Sequence, residues 1–279
     1  MKCASRWRVV ADRTAGAAFL LLLVATILFL IIPIIVSGVL SFDDREFIGP
    51  FPPTTFSLRW YRSFLANPSY VDGLVVSLKL ALLSASIATA VGAGAAFALA
   101  ESRWRHRDLI ELMFLSPRFI PTVVIGFSML GFASAIHVFD AFTRLVLGHI
   151  VITIPFTVRA TLASLIGIRR SLSEAAISLG ASPWRAFLDI TLPLARTGVI
   201  AGALMAFVLS FDEVAVSIFL TDAFTQTLPI ALVAEMRANL NLTVAAVSTI
   251  FATLAVLIVL FLDRAVGLDS IIGEGMYRG

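Results

Sequence analysis

The chain is poor in charge, almost free of cysteine and without clustered metal ligands. Only 14% of its 279 residues are Asp, Glu, Lys or Arg, against roughly 25% in a soluble domain. Such a composition calls for an apolar solvent. The single cysteine, Cys3, excludes an internal disulfide; no lipoprotein-type apolar run precedes it, and it reads as an incidental thiol. His106, His137 and His149 are too scattered for a metal site. There is no Gly-x-x-x-x-Gly-Lys-Ser/Thr phosphate loop, so ATP cannot be bound by that route. No nucleophile–base pair is visible, and no cofactor is expected. What is present is apolar: 59% hydrophobic residues and a mean hydropathy of +0.98.

The apolar residues fall in long blocks: Ala15–Leu40, Leu74–Ala100, Leu109–Ile136, Leu145–Ile168, Gly198–Leu220 and Thr243–Leu262. Each is about 20 residues or longer, enough to cross a hydrocarbon core of about 30 Å as a helix. The expectation is an all-α integral membrane protein of six spans. It has an N-terminal segment 1–14, one membrane domain 15–266 and a tail 267–279. The first block is too long for the core of a signal peptide, roughly 7–15 residues, and reads as an uncleaved span. The net charge of +3 and pI near 9.5 do not signal nucleic acid, because the basic residues flank the apolar blocks. With the N-terminus inside, thirteen Lys and Arg fall on cytoplasmic segments and five on outer ones. That bias places both ends in the cytoplasm.

The first outer loop, Ser41–Gly73, carries four prolines with Trp60 and Tyr61 and reads as a structured cap at the membrane interface. Asp43, Asp44 and Glu46 read as a solvated turn or a receptor-docking cluster. Leu228-Pro229-Ile230 in the fifth loop are apolar enough to fold back toward the membrane. Gly92 and Gly94 suit close helix packing. Ionisable groups inside spans usually face a cavity or a partner. Arg159 is read as snorkelling or pairing across helices. Asp212 and Glu213 lie in the outer half of the fifth block, and three readings stand for them: lining the substrate path, pairing with a base such as Lys79, or contacting a neighbouring subunit or a receptor.

The segment Gly167–Thr197 is long for an inner loop. Ser171 and Glu174 fit a capping box, with a helix through Ala175, Ala176, Ile177 and Leu179 that Gly180 ends. Ser182 and Pro183 open a second helix, which Pro193 ends or kinks. The pair offers Leu179, Trp184 and Phe187 outward, which suggests a protein partner; a loop folded back on its own bundle is the alternative.

Glu174-Ala175-Ala176, three residues, Gly180, nine residues, then Ile190-Thr191-Leu192-Pro193 resembles the EAA loop of binding-protein-dependent ABC transporter permeases. The resemblance implies a type I importer permease architecture. The loop is then a coupling helix docked on an ATPase subunit, with Glu174, Ala175, Ala176, Gly180, Trp184 and Pro193 as coupling residues. Two further passages, Phe56-Ser57-Leu58-Arg59-Trp60-Tyr61 and Leu209 to Ser217, resemble the second permease of spermidine/putrescine importers. That implies a sister permease, a cytoplasmic ATPase dimer, a periplasmic solute-binding protein and a polyamine-like solute, with Asp212 and Glu213 on its path or gate. Opines and amino-acid-like solutes are the alternative cargo within the family. An ion-driven carrier working alone is the alternative of another class.

Overall fold

The computed structural model describes residues 2–46, 49–102, 104–238 and 242–266. For residues 2–15, and for 255, 258, 259, 261–263, 265 and 266, it describes the backbone alone. The expected tail 267–279 and the basic side chains ahead of the first block lie outside that description. Among the described residues the chain is helical, apart from one isolated antiparallel bridge between Asp43 and Phe56. It divides into two compact units: residues up to Ala66 with Met236–Thr253, and Asn67–Glu235 with the residues from Leu254 on.

The first unit contains α1 (Lys2–Leu40), α2 (Arg59–Ala66) and the start of α12 (Thr243–Val266). The most apolar window of α1, within Gly16–Leu40, has a mean hydropathy of 3.3 and no residue covered by the rest of the chain. A helix that is apolar on every side needs lipid around it. The loop after α1 is ordered by its polar groups. Trp60 is buried, and its indole N–H donates to the Asp43 carbonyl at 2.7 Å. The hydroxyls of Ser41 and Tyr61 meet at 2.7 Å. Trp60, Leu242 and Ala246 form a small core. The loop is therefore structured, as expected, but its acids are not uniformly solvated. Asp43 is buried and bound by the Arg45 guanidinium, whose Nε lies 2.9 and 2.8 Å from its two oxygens.

In the second unit, α3 (Pro68–Glu101), α6 (Ala141–Ile166) and α9 (Leu192–Phe211) pack together as the central layer. Asn67 caps α3 by accepting the Ser69 N–H, and Pro68 takes the first helical position, where no N–H is needed. Asp140 caps α6 through the Thr143 N–H at 2.7 Å. Gly92 sits against Thr157, as expected of a packing glycine, whereas among the described residues nothing lies within 4 Å of a Cβ built on Gly94. Helix α11 (Leu228–Ala238) returns to the bundle, with Leu228 and Pro229 buried and the Leu228 N–H donating to Ser77 Oγ.

Two blocks are not single straight helices. The third is α4 (Arg107–Leu115) with a 3-10 turn to Phe119, then α5 (Thr122–Ala135), and the two parts are bent by 104°. Pro121 explains the break: it forces Ile120 into extended geometry, φ −94 and ψ 133, where a helix cannot continue. The fifth block ends as a helix at Phe211 and resumes only as α10 (Ser217–Leu220). Among the described residues, four helices are long and apolar enough to cross a membrane, or five if the bent pair is one span. The sixth block falls on α12.

Candidate functional site

The loop between α6 and α9 folds as a helical hairpin. Helix α7 (Arg170–Ser178) carries Glu174, Ala175 and Ala176. The expected capping box does not form. Arg169 is already extended and the helix starts at Arg170, which puts Ser171 inside the first turn with no cap to make. The Arg170 guanidinium instead bonds the Ala100 carbonyl at the end of α3. The helix stops as expected. Gly180 has φ +95, its N–H donates to the Ile177 carbonyl at 3.0 Å, and the Ala181 N–H reaches back to Ala176 at 3.0 Å. This is a Schellman closure, in which a left-handed glycine lets two following amides satisfy the orphan carbonyls.

Ser182 then accepts the Arg185 N–H at 3.3 Å and opens α8 (Pro183–Ala186). Pro193 does not end this helix. A π-helical segment, Phe187–Thr191, lies directly ahead of it and leads without interruption into α9. Widening the turn is one way to accommodate a ring that lacks an N–H and crowds the preceding turn. Ser173 and Thr191 hydroxyls, 3.1 Å apart, tie α7 to that segment. Leu179 and Trp184 are 90% and 65% exposed, so the hairpin shows bare apolar groups. Phe187 is not among them: it is half-buried, edge-on to Phe97 of α3 at 4.9 Å, and Trp184 stacks on it.

The structure thus gathers Glu174, Ala175, Ala176, Gly180 and Trp184 in one hairpin, with Pro193 at the root of α9. Asp212 and Glu213 lie at the other end of that helix, 29 residues from Pro183 to Phe211, or roughly 40 Å at 1.5 Å per residue. They sit in the break beyond α9 and not within a continuous helix. Their roles differ. Glu213 is half-buried and turned onto its own backbone, its Oε1 accepting the Val216 N–H at 3.0 Å. Asp212 ends α9, with its side chain exposed. Among the described residues no ion pair joins either acid to Lys79. Arg159 does pair across helices, with Glu111 of α4 at 3.7 Å.

Residues 88–267 match the model of the family described as "Binding-protein-dependent transport system inner membrane component". The chain belongs to this family. The permease is 32% identical over 232 residues to the Escherichia coli K12 "Spermidine/putrescine transport system permease protein PotC", covering 83% of this chain and 87% of that one. It is 29% identical over 229 residues to the "Putrescine transport system permease protein PotI" of the same strain, covering 80% and 81%. Among solved structures, a bacterial ABC transporter that imports alginate superposes with a TM-score of 0.72 at 18% identity, over 93% of this permease and 98% of that chain. The fold is that of ABC importer permeases. The permease is a multi-pass inner-membrane component of an importer and not an enzyme, and the reading as an ion-driven carrier working alone falls away.

Sequence reasoning missed one polar cluster. His149, fully buried in α6, places one ring nitrogen 2.8 Å from Ser210 Oγ and the other 3.0 Å from Ser217 Oγ. Ser210 also meets Ser84 of α3 at 2.9 Å. The available signal was an ionisable residue inside an apolar block; weighing His149 only as a metal ligand discarded it.

Proposed function

We propose that this permease forms half of the channel through which a polyamine-like cation enters the cell. ATP hydrolysis on a partner ATPase dimer drives it, a sister permease completes it, and a periplasmic solute-binding protein delivers the solute. Both termini and the α7–α8 hairpin lie on the cytoplasmic side. Glu174, Ala175, Ala176, Gly180, Trp184 and Pro193 are the coupling residues. The observation that carries this reading is mechanical: a hairpin locked by a Schellman closure and a serine cap runs on into α9 with no flexible joint.

Closure of the ATPase pair pushes on the exposed Leu179 and Trp184. The push travels along α9 as a rigid-body displacement to the break that holds Asp212. The bundle thereby shifts between inward-open and outward-open packings, to the extent that nucleotide binds one better than the other. Asp212, exposed at the end of α9, is the acid suited to a passing cation; Glu213 shapes the break. The polyamine assignment draws on the two relatives above.

The test is ATPase activity and uptake by the reconstituted complex, with the receptor loaded in turn with spermidine, putrescine and amino-acid-like solutes. Stimulation by a loaded polyamine, lost on Glu174→Lys with the complex intact, is the expected result. Stimulation only by an amino-acid-like solute overturns the cargo. Undiminished uptake in Glu174→Lys overturns the coupling assignment.

A further inference from the structure

His149 holds together the two sides of a helix break. The break runs from Asp212 to Val216, between the last turn of α9 and α10. Ser210 lies just before it and Ser217 just after it, and each bonds a different nitrogen of the one imidazole. The hydrogen-bond directions follow from the available protons. Ser217 Oγ donates to the Glu213 carbonyl at 2.8 Å, so at its contact with His149 it accepts, and Nε2 carries the hydrogen. In a neutral imidazole Nδ1 is then the acceptor and receives the Ser210 hydroxyl proton. Ser84 Oγ donates to the Leu80 carbonyl and lies 2.9 Å from Ser210 Oγ, which fastens the group to α3. The Thr153 hydroxyl donates to the His149 carbonyl at 2.6 Å, and Leu145 and Val216 pack in the same core cluster.

An unwound segment at membrane depth has amides and carbonyls that lipid cannot satisfy, and neighbouring side chains must do so. Glu213 Oε1 satisfies the Val216 amide and Ser217 the Glu213 carbonyl. The first of these bonds lies within the break and the second ties it to the start of α10. His149 bonds a residue on each side of the break.

We propose that His149 is the positioning residue of the interrupted fifth span: by bonding Ser210 and Ser217 at once it fixes the 212–216 break, and with it the place of Asp212 and Glu213. Its effect on transport rests on the proposed role of Asp212; its effect on the break does not. Asn at position 149 can reproduce the Nδ1 contact and Gln the Nε2 contact, but neither reproduces both. His149→Asn and His149→Gln therefore each keep a polar side chain while cutting the link.

The experiment is amide hydrogen exchange of the complete transporter in lipid nanodiscs, with receptor-driven uptake per ATP measured on the same preparations. Losing one buried bond and stranding its partner is expected to speed exchange in the 212–220 peptides about tenfold or more. Exchange in the middle of α6 and α3 should stay unchanged, and uptake per ATP should fall at least about threefold. Unchanged exchange at 212–220 in both variants overturns the proposal, and so does a rise spread evenly over α3, α6 and α9, the mark of general loosening. Asp212→Asn is measured beside them. If it transports normally while the His149 variants free the break, the path role of Asp212 fails and the positioning role stands.

Discussion

Gly92 of α3 and Thr157 of α6 are in such close contact that a methyl group on Gly92 would overlap Thr157 Oγ1 and lie 2.9 Å from its Cβ. The same threonine touches α9 on its other side, where a Cβ on Gly202 would come within 2.9 Å of the Thr157 backbone. Its hydroxyl donates to the Ala88 carbonyl at 2.9 Å. Three helices therefore approach one another at a residue with glycine on both flanks. Helices in lipid associate through such tight contacts, because lipid chains are as apolar as leucine and give no hydrophobic drive between helices.

Gly92→Ala is accordingly expected to cost about 1–3 kcal/mol, the scale of overpacking a filled core, read as a lower melting temperature of the purified complex. Thr157→Ala removes the nearer of the two clashing atoms and should recover part of the loss. The double variant is thus more stable than the two single effects summed. Strict additivity would show that the helices separate freely here.

Much of this arrangement was legible in the sequence because it is local. A glycine at the end of a helical stretch predicts a left-handed cap, and Gly180 has one. Ser182-Pro183 predicts a helix start, and Ser182 caps one. The capping box at Ser171 fails because the helix, with Arg170 anchored on the Ala100 carbonyl, begins two residues earlier than its polar pattern suggests. Composition could not reveal the broken spans, since an apolar block reads the same whether its helix is continuous or interrupted. Nor could it assign His149, whose partners are 61 and 68 residues away along the chain.

Gly180 tests the coupling hairpin. Nothing lies within 4 Å of a Cβ built there, yet its φ is +95, so the obstacle to substitution is backbone strain alone. Gly180→Val is expected to strain or unwind the closure by about 1–2 kcal/mol, while Gly180→Asn, which tolerates left-handed geometry better, loses less. Both should insert and assemble normally, because the position is exposed. Receptor-stimulated ATPase activity should fall in the order Gly, Asn, Val. Equal activity in all three would separate the hairpin conformation from coupling.

The Asp43–Arg45 pair gives a pH dependence whose sign is fixed. The Arg45 guanidinium hydrogen-bonded to Asp43 holds its carboxyl below the ordinary value of 3.8, against the opposing effect of burial. A depressed carboxyl contributes stability that is fully present above the unfolded value and is lost as the pH falls through the folded one. Susceptibility of the 41–60 loop to proteolysis should therefore be flat from neutral pH down to about 5 and rise below about 4. Asp43→Asn should show the loosened pattern already at neutral pH. A loop equally protected in that variant would mean that Trp60 and Tyr61 hold it without the ion pair.

The two acids of the break should separate on substitution. Asp212 is exposed and bonded through its backbone amide to the Val208 carbonyl, so Asp212→Asn leaves the break intact and removes only a charge. If a cation passes, the loss is about 1 kcal/mol, or roughly fivefold in apparent affinity, the scale of one solvent-screened charge contact. It should shrink as ionic strength rises. Glu213→Gln keeps an oxygen for the Val216 amide and should stay close to the wild type. Glu213→Ala removes that acceptor and should raise amide exchange at Val216 and lower turnover whatever the charge of the solute. Uptake rates against solute concentration for the three variants, at low and high salt, distinguish these cases. A salt-dependent affinity loss confined to Asp212→Asn assigns it to the path, whereas equal, salt-independent losses in Asp212→Asn and Glu213→Ala would make both acids parts of the scaffold.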